Sequence, residues 1–352
     1  MSLNKNILIT GAAGFIGANL TLKLIASGKF ENIIGLDNLN DYYDVSLKEY
    51  RLLLIHEAAK NNHTATWKFY RGDIVDKFFV EKIFAQNAPE VVVNLAAQAG
   101  IRHSLKNPDA YIESNILGFF NILEACRHAE NLRHLVYASS SSVYGGNKKI
   151  PFSVADRVDT PVSLYAATKK SNELLAYCYS KLYDIPATGL RFFTVYGAAG
   201  RPDMAYFKFT NKLLRGEDIQ IFNYGNCQRD FTYIDDIVEG VCRVIDRPPT
   251  SNTPPYKIYN IGNGQPVNLL DFVDILQQEL IRAELLPKNY NFDSHKKLLP
   301  MQPGEIPVTF ADTTNLERDF HFRPNTTLRE GLRHFVDWYK NFYLSAAPIE
   351  PS

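Results

Sequence analysis

Asn6-Ile7-Leu8-Ile9-Thr10-Gly11-Ala12-Ala13-Gly14-Phe15-Ile16-Gly17 is the stretch that decides the fold of this chain. Its first half is a short apolar run of the kind that forms a buried strand, and its second half opens an amphipathic helix predicted through about Ala26. Between them lie glycines spaced three apart. Such a turn lets backbone come close to a ligand, and the helix behind it offers free N–H groups and the positive end of its dipole. The spacing is G-x-x-G-x-x-G, and a glycine triplet by itself also suits a tight turn that serves only packing.

The surroundings decide between those uses. A second apolar run, Ile33-Ile34-Gly35-Leu36, ends on Asp37. A carboxylate at that point accepts hydrogen bonds from adenosine ribose hydroxyls and repels a 2′-phosphate, so the loop reads as a site for NAD rather than NADP. Gly11, Gly14, Phe15, Ile16, Gly17 and Asp37 are the candidate cofactor residues.

Further along, Val91-Val92-Val93-Asn94-Leu95 and His134-Leu135-Val136-Tyr137-Ala138 read as two more buried strands. Ile112, Ile116, Phe119, Phe120 and Leu123 recur between them at helical spacing. Alternating strands and helices predict an α/β fold, a Rossmann-like doubly wound parallel sheet with helices on both faces. After about Phe193 glycines, prolines and short elements dominate, and Pro248 to Pro255 is a loop. Tyr256 to Ile261 reads as a strand and Asn268 to Ala283 as a helix. We therefore expect a dinucleotide domain over 1–192 and about 231–265, a smaller C-terminal α/β substrate domain over about 193–230 and 266–345, and a tail at 346–352.

Composition narrows the partners. Across 352 residues, 38 Lys and Arg balance 38 Asp and Glu, which disfavours nucleic acid as a ligand. No apolar run approaches the roughly 18 to 20 residues of a membrane span. The first periodic element begins too near Met1 for a signal peptide, and Cys126, Cys178, Cys227 and Cys242 form no C-x-x-C pair. A cytoplasmic protein with reduced thiols is the expectation. The eight histidines include no H-x-x-x-H or H-E-x-x-H pair, so no metal site is expected.

Oxidising an alcohol requires a base for the hydroxyl proton. Tyrosine serves only if a nearby cation lowers its usual pKa of about 10. A Tyr-x-x-x-Lys pair on a helix puts both groups on one face, and the pattern occurs three times, at Tyr144/Lys148, Tyr165/Lys169 and Tyr177/Lys181. Tyr144 runs into Gly145-Gly146-Asn147, a turn. Tyr177 lies roughly 18 Å along the helix from Tyr165. Tyr165 follows Thr160-Pro161, where that helix begins, and is the predicted base. Upstream, the strand ending at Ala138 runs into Ser139-Ser140-Ser141-Ser142, hydroxyls at the carboxyl end of a parallel strand, where such sheets bind ligands.

Taken together, the glycine loop, the serine run and Tyr165/Lys169 resemble the extended short-chain dehydrogenase/reductase superfamily over nearly the whole chain. Five stretches are similar to its UDP-glucuronate 4-epimerase branch: Gly35 to Asp44 (GLDNLNDYYD), Leu95 to Gly100 (LAAQAG), Ser139 to Gly145 (SSSSVYG), Thr160 to Lys169 (TPVSLYAATK) and Arg191 to Gly197 (RFFTVYG). The resemblance implies NAD, a UDP-sugar substrate, and a homodimer joined through the helices that begin near Pro108 and Pro161. It implies Tyr165 as base, Lys169 as its acidifying and ribose-binding partner, and Ser140 as the assisting hydroxyl. Asn38, Asp73 and Ile74 then fall beside the adenosine, with Leu95, Ala96 and Ala97 along the cofactor. Ser140, Ser141, Ser142, Tyr165, Thr194 and Arg201 fall beside the sugar, with Ser142, Thr194 and Arg201 on a C5 carboxylate. Arg229 falls on the pyrophosphate, a role that suits a guanidinium fork.

The chain departs from the branch twice. Gly197-Ala198-Ala199-Gly200 lacks the Pro-Trp pair usual between those glycines, and Gln302 of Gln302-Pro303-Gly304-Glu305 stands where related hexose epimerases often carry arginine. The run Ser139 to Gly145 also lacks the acid that dehydratases and uronate decarboxylases of the superfamily place there. The expected reaction is C4 epimerisation of a UDP-sugar, UDP-glucuronate to UDP-galacturonate first. The alternatives are a neutral hexose or N-acetylhexosamine substrate, a dehydratase or decarboxylase outcome, or a non-catalytic NAD-binding protein.

Overall fold

A computed structural model describes residues 4–62, 64–301 and 306–345. The Gln302 to Glu305 motif and the 346–352 tail expected above lie outside the described residues. The first half runs β1 (Asn4–Thr10), α1 (Phe15–Ser27), β2 (Phe30–Asp37), α2 (Ser46–Asn61), β3 (Thr66–Arg71), α3 (Lys77–Asn87), β4 (Val91–Asn94), α4 (Ile101–Ser104), α5 (Asp109–Tyr111), α6 (Phe119–Arg127), β5 (His134–Ser140), α7 (Leu164–Tyr183) and β6 (Ala187–Phe192). The second half continues with β7 (Thr194–Tyr196), α8 (Ala205–Leu214), β8 (Ile219–Ile221), β9 (Gln228–Tyr233), α9 (Ile234–Ile245), β10 (Tyr256–Ile261), β11 (Pro266–Asn268), α10 (Leu269–Arg282), β12 (Lys296–Leu298), α11 (Thr314–Phe320) and α12 (Leu328–Lys340).

Seven parallel strands form one sheet in the order β10-β6-β5-β4-β1-β2-β3. Strands sandwiched between helices bury both faces, and so Ile7, Leu8, Ile9, Val92, Val93, Leu135 and Val136 are almost wholly inaccessible. One face carries α1 between α2 and α9; the other carries α3, α6 and α7. The chain leaves β1 towards β2 and β3, then returns to the other side of β1 for β4. The carboxyl ends of β1 and β4 are therefore the switch point, where a doubly wound sheet opens a crevice for ligand.

Between α5 and α6 the helix predicted from Ile112 to Leu123 widens into a π-helical turn over Ile112–Gly118. The extra residue rotates Asn115 inward, where its Nδ2 donates to Gln98 O at 3.0 Å and Thr168 Oγ1 at 3.0 Å, and its Oδ1 accepts from Gln98 N at 2.8 Å. One side chain thereby ties the segment after β4 to the first turns of α7.

The smaller sheets are β11-β9-β7 and β12-β8, covered by α8, α10 and α12. Phe231 of β9 stacks on Phe272 of α10 at 4.4 Å, and the apolar cluster containing both is continuous with the core under α1. Asp230 is buried among backbone donors, accepting from the N–H of Asn263, Gly264 and Ala311. Among the described residues no helix is long and apolar enough to cross a membrane, and no cluster of three or more acidic, histidine or cysteine side chains is placed to hold a metal ion.

Candidate active site

One cleft runs across the switch point from Asp37 and Asp73 at one end to Arg201 at the other, with Tyr165 and Lys169 in its wall. At the near end, Gly11 adopts φ +70°, and a Cβ there would lie 2.8 Å from Ala96 N. A Cβ on Gly17 would lie 2.1 Å from Gly11 O, so only glycine lets α1 seat on the loop. Gly14 caps α1 without a side-chain hydrogen bond, and no acidic residue sits in the first turn. The N-terminal N–H groups are thus open to an anion.

Asp37 accepts from Ala13 N at 3.0 Å and Leu39 N at 2.9 Å, which uses part of its acceptor capacity and leaves room for hydroxyl donors. Beside it, Asn38 Nδ2 donates to Asp73 at 2.8 Å, and Ile74 completes this end. The residues present fit an adenosine ribose and pyrophosphate: an uncapped helix start, a cradle that a Cβ would fill, and a buried carboxylate at the strand end.

Sequence reading missed Lys48, which also lines the cleft. Its Nζ donates to Asn40 O at 2.6 Å and Asn40 Oδ1 at 2.7 Å. Burial lowers its pKa, and the Asp37 charge partly restores it. The available signal was a basic residue on the face of α2 that carries Leu47, Leu52 and Ile55, all buried.

In the middle of the cleft α7 starts at Leu164 with Ser163 as its cap, accepting from Ala166 N at 3.1 Å. Tyr165 therefore occupies the first turn and Lys169 the next. Burial raises the pKa of the Tyr165 phenol. A hydrogen bond with Ser140 and the positive charge of Arg201 pull it back, and Asp203 opposes them. Lys169 Nζ donates to Ala138 O of β5 at 2.9 Å, and burial pushes its pKa down to about 8. The ammonium expected to acidify Tyr165 thus lies on the next turn of α7 with Ala138 O as its partner, while Ser140 and Arg201 lower the phenol's pKa. Ser140 Oγ also accepts from Ser142 N at 3.1 Å, which holds the hydroxyl at the strand end.

Beneath these groups lies a buried ion pair that sequence reading also missed. Arg191 Nε and Nη2 donate to the two carboxylate oxygens of Glu173 at 2.8 and 2.9 Å, and Ser139 Oγ donates to Glu173 Oε1 at 2.7 Å. The pair joins β5, β6 and α7 directly under Ser140 and Lys169.

Sixteen sequence-predicted site residues line this cleft: Gly11, Gly14, Phe15, Ile16, Gly17, Asp37, Asn38, Asp73, Ile74, Leu95, Ala96, Ala97, Ser140, Tyr165, Lys169 and Arg201. Ser141, Ser142 and Thr194 stand just outside its lining, on the turn after β5 and on β7. Arg229 is not in the lining either; its Nη1 donates to Gln228 O and Pro307 O at 2.9 and 3.0 Å. The two discarded pairs behave as their positions implied. Tyr144 is buried and donates to Asn260 Oδ1 at 2.6 Å, while Tyr177 is 47% exposed on the outer face of α7.

A cleft with this glycine loop, this strand-end carboxylate and a Ser-Tyr-Lys wall defines a dinucleotide-dependent enzyme of the short-chain dehydrogenase/reductase type. The chain belongs to the NAD dependent epimerase/dehydratase family, whose model matches residues 7–262. Among curated relatives, Protein CapI of Staphylococcus aureus is 50% identical over 350 residues, covering 96% of this chain and 99% of that one. The probable UDP-glucuronate 4-epimerase of Rhizobium meliloti is 42% identical over 353 residues, covering 96% and 98%. Among solved structures, the UDP-glucuronic acid 4-epimerase of Bacillus cereus, in complex with UDP-glucuronic acid and NAD, matches with a TM-score of 0.83 and 31% identity, covering 96% of this chain and all of that one.

Proposed function

We propose that this protein is an NAD-dependent UDP-sugar 4-epimerase that interconverts UDP-glucuronate and UDP-galacturonate. The observation that carries the uronate reading is Arg201, a guanidinium in the wall of the same cleft as Tyr165, close enough for its charge to act on the phenol. A fixed guanidinium beside the reacting sugar has an obvious counterpart in a C5 carboxylate.

The glycine loop, Asp37, Asn38, Asp73 and Lys48 would hold NAD, which when bound accepts the C4 hydride and returns it. Tyr165 takes the C4 hydroxyl proton, with Ser140 bridging phenol and hydroxyl. The phenol starts above its ordinary pKa because of desolvation, and the Ser140 hydroxyl together with the Lys169 ammonium one turn further along α7 would bring it down. The 4-keto uronate is a β-keto acid and loses CO2 when the carboxyl bond lies perpendicular to the ketone plane. Arg201, with Ser142 and Thr194 at the same end, would hold the carboxylate away from that alignment. Arg229, and the smaller domain built from about 193–230 and 266–345, would take the UDP.

Dehydration needs an acid–base group beside C5 and C6. Among the described residues the carboxylates lining the cleft are Asp37 and Asp73, both at the adenosine end. Epimerisation needs no such group. Ile112, Leu117 and Phe120 are exposed on the segment that packs against α7, and α7 exposes Leu174 and Leu182; these apolar side chains support a homodimer. Four unpaired cysteines suit a reducing compartment, and we place the enzyme in the cytoplasm.

The test is product analysis by NMR after incubation with UDP-glucuronate, UDP-glucose and UDP-N-acetylglucosamine in turn. Arg201→Ala should raise KM for UDP-glucuronate by about 10- to 100-fold, the worth of a charge-assisted pair. Unchanged affinity in that variant would remove the uronate assignment.

A further inference from the structure

Arg201 arrives at the cleft already gripped. Its Nε donates to Asp203 Oδ1 at 3.0 Å and its Nη2 to Asp203 Oδ2 at 2.6 Å, so a carboxylate two residues along covers one whole edge of the guanidinium. The Tyr42 hydroxyl donates to Asp203 Oδ2 at 3.2 Å. Tyr42 is itself fixed, packed on the His103 ring at 4.7 Å, with its hydroxyl over Gly100, where a Cβ would approach it to 2.9 Å. Behind the loop, buried Arg51 donates to Ala199 O at 2.9 and 2.7 Å, to Gly200 O at 3.0 Å and to Ala13 O at 3.0 Å. The loop that carries Arg201 is thus pinned to α2 and to the phosphate loop at once. Arg201 lines the cleft, and Asp203 does not.

We propose that Asp203, braced by Tyr42, is the positioning residue for uronate recognition: it holds the Nε/Nη2 edge of Arg201 from outside the cleft and presents the Nη1/Nη2 edge to the sugar carboxylate. The inference rests on the uronate reading above and adds what makes it selective. A guanidinium has five N–H groups in a rigid fork; Asp203 takes two, and the other edge is itself a complete bidentate set. Fixing the side chain beforehand removes the rotamer freedom that binding would otherwise cost. Pairing also leaves Arg201 and Asp203 with no net charge between them. Discrimination then depends on matching a planar carboxylate at one place, and a neutral hexose gains nothing from it.

The experiment measures KM and kcat with UDP-glucuronate, and with UDP-glucose as substrate or competitive inhibitor, for Asp203→Asn, Tyr42→Phe, Arg201→Ala and the Asp203→Asn/Arg201→Ala double variant. Asp203→Asn should raise KM for UDP-glucuronate about 10-fold, the worth of one charge-assisted pair. Its kcat should change far less, and the UDP-glucose constant should stay within about twofold. Tyr42→Phe should act in the same direction by about two- to threefold, as loss of a single bracing hydrogen bond, and it tests the idea even if the first variant folds poorly. In the Arg201→Ala background Asp203→Asn should add nothing. A lower KM in Asp203→Asn would overturn the proposal, since Asp203 would then compete with substrate for the fork. An equal rise for both sugars, or an undiminished effect without Arg201, would overturn it as merely structural. If Arg201→Ala alone leaves KM unchanged while the Asp203 variant still acts, the uronate reading fails and takes this inference with it.

Discussion

At the adenosine end of the cleft the ligand-facing groups are mostly backbone: a glycine turn, an uncapped helix start and one carboxylate that two main-chain N–H groups hold in place. At the sugar end they are side chains locked by other side chains across long stretches of chain. Tyr42 reaches Asp203 over 161 positions, and Arg51 reaches Ala199 over 148. On the proposed reading the first end recognises what every dinucleotide shares, and short-range geometry is enough for that. The second would have to tell one sugar from another, with charges whose partners are fixed by the tertiary fold. The two ends should therefore fail differently when altered.

The sharpest break lies where they meet. Tyr165→Phe should lower kcat by about 10²- to 10⁴-fold, the usual worth of a positioned acid–base group, with thermal melting unchanged. A melting temperature that falls with activity would mean that the phenol is structural. Next in size is the buried pair beneath the middle of the cleft. Arg191→Met takes the bidentate partner from a Glu173 carboxylate only 1% exposed, leaving it Ser139 and a longer contact to Lys170 at 3.4 Å, and should cost about 3–5 kcal/mol in urea unfolding. A loss under about 1 kcal/mol would show that Glu173 finds another partner.

At the adenosine end, Asp37→Ala should weaken NAD binding by about 10- to 100-fold in a fluorescence titration while narrowing the preference over NADP. If NADP gains nothing, Asp37 serves only to hold Ala13 and Leu39. A smaller effect of opposite sign is expected at Lys169, whose pKa burial lowers from 10.5 to about 8. Between those values the unfolded chain holds a proton that the folded chain lacks, so this residue's penalty on stability is full below pH 8 and fades towards pH 10.5. Lys169→Met should therefore be inactive yet more stable by about 2 kcal/mol at pH 7, after allowing for the lost bond to Ala138, with the gain shrinking as pH rises. A gain that does not depend on pH would point to packing instead. Smallest of all, Tyr177→Phe, which alters a tyrosine that resembles the catalytic one only in spacing, should leave kcat unchanged.

The same contrast explains what could be read in advance. Strand, glycine turn, helix and Asp37 lie within 34 residues of one another and obey local rules, so the switch-point crevice and the residues that line it were legible. The start of α7 separated Tyr165 from its two decoys, and the helix expected over 268–283 runs Leu269–Arg282. Lys48 and Arg51 share the apolar face of α2, a faint signal, because basic residues in a polar helix look solvated until the fold shows which face is buried. Asp203 resembled an ordinary turn residue beside Arg201. The Glu173–Arg191 pair joins a helix to a neighbouring strand, and only knowledge of that packing reveals it. The π-helical turn at Asn115 likewise keeps the apolar spacing of an α-helix, and its cause, an inward amide for Gln98 and Thr168, is tertiary.

If the Tyr165 phenol and the sugar carbinol meet in one cleft, C4 alone is inverted. UDP-glucuronate carrying deuterium at C4 tests it most directly, with the product followed by NMR in ordinary water. The expected product is UDP-galacturonate with the deuterium still on C4. Loss of the label to solvent, or a decarboxylated pentose in its place, would contradict it.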